Sequence, residues 1–173
     1  MDIIFREVGP DDALEMIKFL EAVGSETDNL SFSGESLKLT PDSEKRFLNR
    51  FVSNRKNLML VAEYNGEIVG NASVERNRTP RYSHRAELSV AVKKDFWGQG
   101  IASRLMELLI EFSKESDIEI LYLEARADNE RALNLYKKFG FSEIGRYEKF
   151  FKIGGKYHDA SLMTLEIKNF KKI

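Results

Sequence analysis

The stretch from Ala86 to Ala125 restricts the fold more than any other part of the chain. Ala86-Glu87-Leu88-Ser89-Val90-Ala91-Val92 reads as a mostly buried strand, and Ile118 to Ala125 as a second one. Between them, Gly100 to Glu115 places Ile101, Leu105, Leu108, Leu109 and Phe112 at helical spacing. Two strands joined through a helix pair in parallel, because only a crossover of a dozen or more residues returns the chain in the same direction.

The remaining pattern is antiparallel. Leu58–Tyr64 and Glu67–Val74 flank Asn65-Gly66, a two-residue hairpin signal in which both central positions tolerate positive φ. Phe141–Ile153 and Lys156–Ile167 form a second pair about Gly154-Gly155. Ile3–Val8 is a short first strand. Pro10-Asp11-Asp12 opens a helix that reaches about Val23, and Pro41 opens another carrying Phe47, Leu48 and Phe51. Gly24 to Thr40 reads as a polar loop. Asn129–Phe139 is a fourth helix, with Gly140 as its C-terminal stop. The expected fold is α/β (α+β): a mixed, mostly antiparallel sheet of about seven strands flanked by helices. No internal repeat or linker interrupts residues 1–173, which are expected to form a single domain.

Composition removes several function classes. Lysine plus arginine (27) nearly balances aspartate plus glutamate (28), so the chain lacks the basic field of a nucleic-acid binder. The chain has no cysteine and only two histidines, His84 and His158, which argues against a zinc centre; no metal is expected. No apolar run approaches the roughly 20 residues of a membrane span, and the N-terminus does not resemble a signal peptide. The expectation is a cytoplasmic protein.

The turn Lys93-Lys94-Asp95-Phe96-Trp97-Gly98-Gln99-Gly100-Ile101-Ala102 lies between a strand and a helix. The first N–H groups of a helix have no internal partner, and glycine lets backbone approach a phosphate closely. A P-loop string is absent. A dinucleotide fingerprint would read Gly98-x-Gly100-x-x-Ser103, with Glu124 near the ribose position. It would place Ser103 where Gly or Ala packs better, and it begins five residues after Val92 rather than at once. A plain turn that needs glycine for its dihedrals is the third reading.

The turn resembles motif A of the GNAT acetyltransferase superfamily: Gly100 and Ala102 match its pattern, whereas Trp97 stands where Arg or Gln is usual. Asn129-Glu130-Arg131-Ala132-Leu133-Asn134-Leu135-Tyr136-Lys137-Lys138-Phe139-Gly140-Phe141 resembles motif B. Gly155-Lys156-Tyr157-His158-Asp159 with Met163 is similar to the branch of ribosomal-protein-alanine and L-amino-acid N-acetyltransferases. The resemblance implies a central parallel pair that splays, and acetyl transfer from acetyl-coenzyme A to a primary amine of an amino acid, small amine or peptide N-terminus. It implies that Trp97, Gly98, Gln99, Gly100, Ile101, Ala102 and Ser103 cradle the pyrophosphate. Val90, Ala91 and Val92 would pair with the pantetheine arm, and Asn129 would contact it.

For chemistry, the resemblance implies Glu87 as general base and Tyr136 near the thioester sulfur. A lysine-like amine with a pKa near 10.4 arrives protonated, so a proton must leave before attack. A tyrosine near 10 facing a thiol near 8.5 makes full proton transfer uphill by about 2 kcal/mol, so Tyr136 stabilises the thiolate rather than protonating it outright. The bland reading of Glu87 is a solvent-facing residue paired with Arg85 or a lysine. Glu26, Asp28 and Phe32 lie in the loop that borders the acceptor site in this family. The alternative function is a non-catalytic acyl-CoA-binding or sensing module. The terminal strands offer an edge for a homodimer.

Overall fold

The computed structural model describes residues 2–170, and the elements follow the expected order. They are β1 (Ile4–Glu7), α1 (Ala13–Glu26), α2 (Pro41–Val52), β2 (Leu58–Tyr64), β3 (Glu67–Arg76), β4 (Arg85–Val92), α3 (Ile101–Glu115), β5 (Ile120–Arg126), α4 (Glu130–Lys138), β6 (Ser142–Ile153) and β7 (Lys156–Glu166). The seven strands are hydrogen-bonded in the order β1-β2-β3-β4-β5-β7-β6. The β4–β5 pair is parallel, while β1–β2, β2–β3, β5–β7 and β6–β7 are antiparallel. The parallel register runs from Arg85 opposite Ile120 to Glu87 opposite Tyr122, three residues of an eight-residue β4.

The chain divides into two compact units. The first holds residues up to Glu75 with Ser89–Phe112, the second Arg76–Leu88 with Ser113 onward. In the first, α1 buries Met16, Phe19 and Val23 in one cluster with Leu48 and Phe51 of α2 and with Met59, Val61 and Ile68 of the β2–β3 hairpin. α2 starts on a reciprocal cap: Thr40 Oγ1 accepts from Ser43 N–H (3.2 Å) and Ser43 Oγ from Thr40 N–H (2.9 Å), satisfying two otherwise orphaned donors. Arg6 of β1 donates to both oxygens of Asp12, each at 2.8 Å, and to Glu63 Oε2 of β2. That guanidinium holds the Asp12 carboxyl below the usual carboxylate range, with help from the Gly9 N–H.

α1 passes the expected stop at Val23 and ends at Glu26. Gly24 is not a helix terminator but a packing residue. A Cβ there would sit 2.6 Å from the Gly34 nitrogen, inside the backbone of the following loop. The same approach explains Gly34, whose Cβ would meet the Glu21 carbonyl oxygen at 2.6 Å.

In the second unit, Arg76 donates to the carbonyls of Ser83, Ser116 (2.9 Å) and Asp117 (3.3 Å), joining the approach to β4 with the approach to β5. The His84 carbonyl accepts from the N–H groups of Glu119 (2.9 Å) and Ile120 (3.2 Å), which starts the parallel ladder. β5 then alternates: Leu121, Leu123 and Ala125 are buried, while Ile120, Tyr122, Glu124 and Arg126 take the opposite face. β6 lies at the end of the strand order and carries a bulge, three residues (148–150) facing Asp159 alone between Tyr147↔Ala160 and Phe151↔His158. Lys149 adopts φ 55° in it, and its N–H donates to Asp159 Oδ1 (2.9 Å).

Gly24→Ala is expected to lower stability by about 1–3 kcal/mol, since backbone rather than a flexible side chain must give way. The measurement is urea unfolding, with a lower midpoint at unchanged m-value.

Candidate functional site

The glycine turn belongs to the first unit. Gly98 (φ 77°) and Gly100 (φ 81°) both occupy the left-handed region, and a Cβ at either would meet no atom within 4 Å. Their conformation therefore requires glycine, while the space beside them stays open. Ile101 is the first residue of α3 and is buried. The Arg104 N–H already bonds the Gly100 carbonyl at 3.0 Å, so Ile101, Ala102 and Ser103 supply helix-start N–H groups with no intrahelical acceptor. With the helix dipole, this is an anion-binding arrangement.

The turn is braced by its own polar groups. The Trp97 indole N–H donates to the Val92 carbonyl (2.7 Å), closing the loop back onto the end of β4. Gln99 Nε2 donates to the Asp95 carbonyl (3.1 Å). Lys94 N–H donates to Glu26 Oε2 at 2.8 Å, so Glu26 works as a brace on the turn from the last residue of α1. Phe32 packs against the α1–α2 cluster instead of standing free in the loop. Arg104 forms an i,i+3 ion pair with Glu107 at 3.0 Å.

Glu87, Asn129 and Tyr136 belong to the second unit. Asn129 is the N-cap of α4: its Oδ1 accepts from Ala132 N–H at 3.2 Å, which leaves its amide N–H groups to meet a ligand. Tyr136, on the buried face of α4, is 7% exposed and its ring lies 5.8 Å from that of Phe141. Burial pushes its phenol up to about 12. Against a thiol near 8.5 that is a gap of 3–4 units, roughly 5 kcal/mol, so this hydroxyl can donate a hydrogen bond to a thiolate but cannot surrender its proton to one. Glu87 is exposed on β4 opposite Tyr122, sharing a face with Arg85, while Ala86 and Leu88 point into the core.

Two polar groupings escaped the sequence. Arg85 stacks its guanidinium over the Tyr122 ring, 4.8 Å from the centroid, and its Nε is buried without a hydrogen-bond partner. Desolvation, then the Glu87 charge, push the Tyr122 phenol up, while Asn77 hydrogen-bonds it. Further along, Arg126 holds Asp128 (2.9 and 2.6 Å) and donates to His158 Nδ1 at 3.1 Å. A guanidinium only donates, so Nδ1 accepts and the ring proton sits on Nε2. Asp128, His158, Arg146 and Tyr157 line an open cleft of about 300 Å³. Neither grouping has a sequence signature, since each joins strands that meet only through the sheet; the period-two alternation of β5 was the one signal available. Among the described residues no three His, Cys, Asp or Glu side chains are grouped to hold a metal ion, and no helix is long and apolar enough to cross a membrane.

Residues 26–141 match the acetyltransferase (GNAT) family. The N-alpha-acetyltransferase RimI of Mycobacterium tuberculosis is 32% identical over 62% of this chain and 66% of its own length. The L-amino acid N-acetyltransferase AaaT of Escherichia coli is 30% identical over 75% of this chain and 80% of its own. Among solved structures, an acetyltransferase of the GNAT family from Streptococcus pneumoniae superposes with a TM-score of 0.92 at 34% identity, covering 95% of this chain and 99% of the other. The Salmonella typhimurium protein yncA, solved with acetyl-CoA, has the same fold: TM-score 0.86, 17% identity, and coverage of 100% and 98%.

The buried phenol makes stability depend on alkaline pH. Its folded pKa lies above the unfolded value near 10, so the stabilisation is complete below pH 10 and is lost as pH rises toward 12. Denaturant midpoints measured from pH 9 to 12 are expected to fall over that window, and to fall less steeply in Tyr136→Phe.

Proposed function

The chain belongs to the acetyltransferase (GNAT) family and is an acetyl-CoA-dependent N-acetyltransferase, and we propose that Trp97–Ser103 bind the donor while Glu87 and Tyr136 serve the chemistry. The observation that carries the donor assignment is the pair of left-handed glycines, Gly98 and Gly100, leading into the free N–H groups of α3. Val90, Ala91 and Val92 are assigned to the pantetheine arm. The Val92 carbonyl is engaged by Trp97, which leaves the other backbone groups of that segment as the better partners. Asn129 is assigned to the arm through its amide N–H groups. Residues 1–173 are read as one acetyltransferase domain in the cytoplasm.

The amine nitrogen attacks the thioester carbonyl; a C–N bond forms and the C–S bond breaks. The ammonium loses one proton to Glu87, directly or through water, before attack, and the second leaves the nitrogen to solvent once the C–N bond has formed. Glu87 is exposed, so a water path is open to it. The leaving thiolate accepts a hydrogen bond from Tyr136 and takes its proton from solvent. The named relatives are acetyltransferases, which favours an enzyme over a non-catalytic acyl-CoA module. The acceptor is assigned as a primary amine; RimI is named an N-alpha-acetyltransferase and AaaT an L-amino acid N-acetyltransferase, which supports that reading.

Free thiol is expected on mixing enzyme, acetyl-CoA and an amine panel, with Glu87→Gln lowering kcat by about 10²–10³ and raising the pH needed for turnover. Tyr136→Phe is expected to lower kcat while leaving the KM for acetyl-CoA within a factor of about two, the pattern of a group acting only late in the reaction. Unchanged kcat in both variants would remove the two residues from the mechanism.

We also infer a homodimer. β6 is an edge strand that leaves Ile144 62%, Tyr147 58% and Phe150 42% exposed, with Tyr157 of β7 at 57%. Its bulge disfavours simple strand addition, so side-chain packing of this aromatic face is the expected contact. Sedimentation at micromolar concentration is expected to give a dimer for the wild type and a monomer for a Tyr147→Glu, Phe150→Glu double variant.

A further inference from the structure

The open face of β4 and β5 in the second unit holds a cation that the proposed chemistry does not use. Arg85 and Glu87 are two residues apart on one strand, so they share a face with their Cβ atoms about 6.6 Å apart. Glu87 lies directly opposite Tyr122, and Arg85 stacks on that same ring. Arg85 makes no ion pair among the described residues, and its Nε is a buried donor without an acceptor. Protein guanidinium groups that are partly buried are ordinarily matched by a carboxylate, because their desolvation is otherwise uncompensated. Here Glu87, on the same face of β4, is itself assigned to the amine.

We propose that Arg85 is the acceptor's carboxylate-binding residue, so that the acceptor is an amino acid held with its ammonium at Glu87 and its carboxylate at Arg85. The inference rests on the reading of Glu87 as the group that receives the amine. The Tyr122 ring lies under the guanidinium, 4.8 Å from its centre, and Asn77 hydrogen-bonds the Tyr122 hydroxyl. The terminal N–H groups of a guanidinium form a planar fork, the geometry that matches two carboxylate oxygens. With hydrogen bonds of about 2.8 Å at each end, the two charged groups of an α-amino acid span the gap between neighbouring side chains on one strand face. An amine without a carboxylate would leave Arg85 as it stands now, with its charge unmatched.

The test compares acceptors that differ only in the carboxylate: L-alanine with ethylamine, L-phenylalanine with phenethylamine, and L-methionine with 3-(methylthio)propylamine, within a panel of all twenty standard L-amino acids. Wild type is expected to prefer the amino acid by at least tenfold in kcat/KM for the best pair. Arg85→Leu is expected to raise the amino-acid KM by roughly tenfold to a hundredfold, the worth of a charged hydrogen-bond pair, while the KM for acetyl-CoA and the kinetics of the matched amine stay put. Arg85→Lys keeps charge but loses the fork, and is expected to fall between the two. It serves as the decisive variant if Arg85→Leu fails to fold. Equal use of amino acid and matched amine by wild type, or an unchanged preference in Arg85→Lys and any folded Arg85→Leu, overturns the proposal. Titration calorimetry of the same amino acids in the presence of coenzyme A separates this idea from the acetyltransferase reading. Arg85-dependent binding with no thiol release would retain the site and sink the reaction. Thiol release with carboxylate-free amines alone would do the reverse.

Discussion

Three residue pairs hold β4 against β5, from Arg85–Ile120 to Glu87–Tyr122, and the function depends on how short that ladder is. The crossover through α3 forces the two strands to be parallel, and the His84 carbonyl together with Arg76 anchors the ladder at its beginning. The ladder stops at Glu87, although β4 continues to Val92 and β5 to Arg126. A longer parallel pairing would spend the backbone groups of β4 on a neighbour strand. Ending it early leaves the later part of β4 to lead straight into the glycine turn, where the donor is assigned. It also puts Glu87 at the last paired position, held in register by Tyr122 and still exposed.

The donor side is made of backbone, and this is why it can be read from sequence. Left-handed dihedrals at positions 98 and 100 favour glycine because any Cβ there is strained, and a helix start offers N–H groups whatever its side chains are. Trp97 is the informative departure. Where the family pattern has Arg or Gln, the indole N–H closes the turn onto the Val92 carbonyl. The position is thus used for bracing here. Glu26 is a similar case: read from sequence as part of a loop that borders the acceptor site in this family, it accepts the Lys94 N–H.

Element order, the two hairpins, the parallel pair and the edge position of the last strand pair were all legible, because each follows from periodicity, turn chemistry or a crossover length. The end of α1 was not. Gly24 looks like a stop signal until its contact with Gly34 is visible, and nothing local distinguishes a glycine needed for close approach from one needed for its dihedrals. The β6 bulge was invisible for a related reason: it is defined by Asp159 on another strand accepting the Lys149 N–H. Tyr136 was legible as a motif residue, but its buried setting was not, and that setting decides between donating a hydrogen bond and donating a proton.

The acceptor side obeys a different rule. Arg85 and Tyr122 are far apart in the chain and meet only because the parallel register places Tyr122 opposite Glu87. Sequence offered Arg85 or a lysine as a partner for Glu87, whereas the Arg85 guanidinium lies over the Tyr122 ring. Side chains projecting from separate strands can be exchanged without disturbing the ladder beneath them, whereas the glycine turn cannot tolerate a Cβ at its two left-handed positions. On the proposed assignments, such a fold keeps its donor fixed by backbone geometry and leaves its acceptor open to change by single substitutions. Relatives of this family carry names that specify different amines, and on the proposed reading the identity of the amine is set on the faces of β4 and β5 rather than in the motif that announces the family.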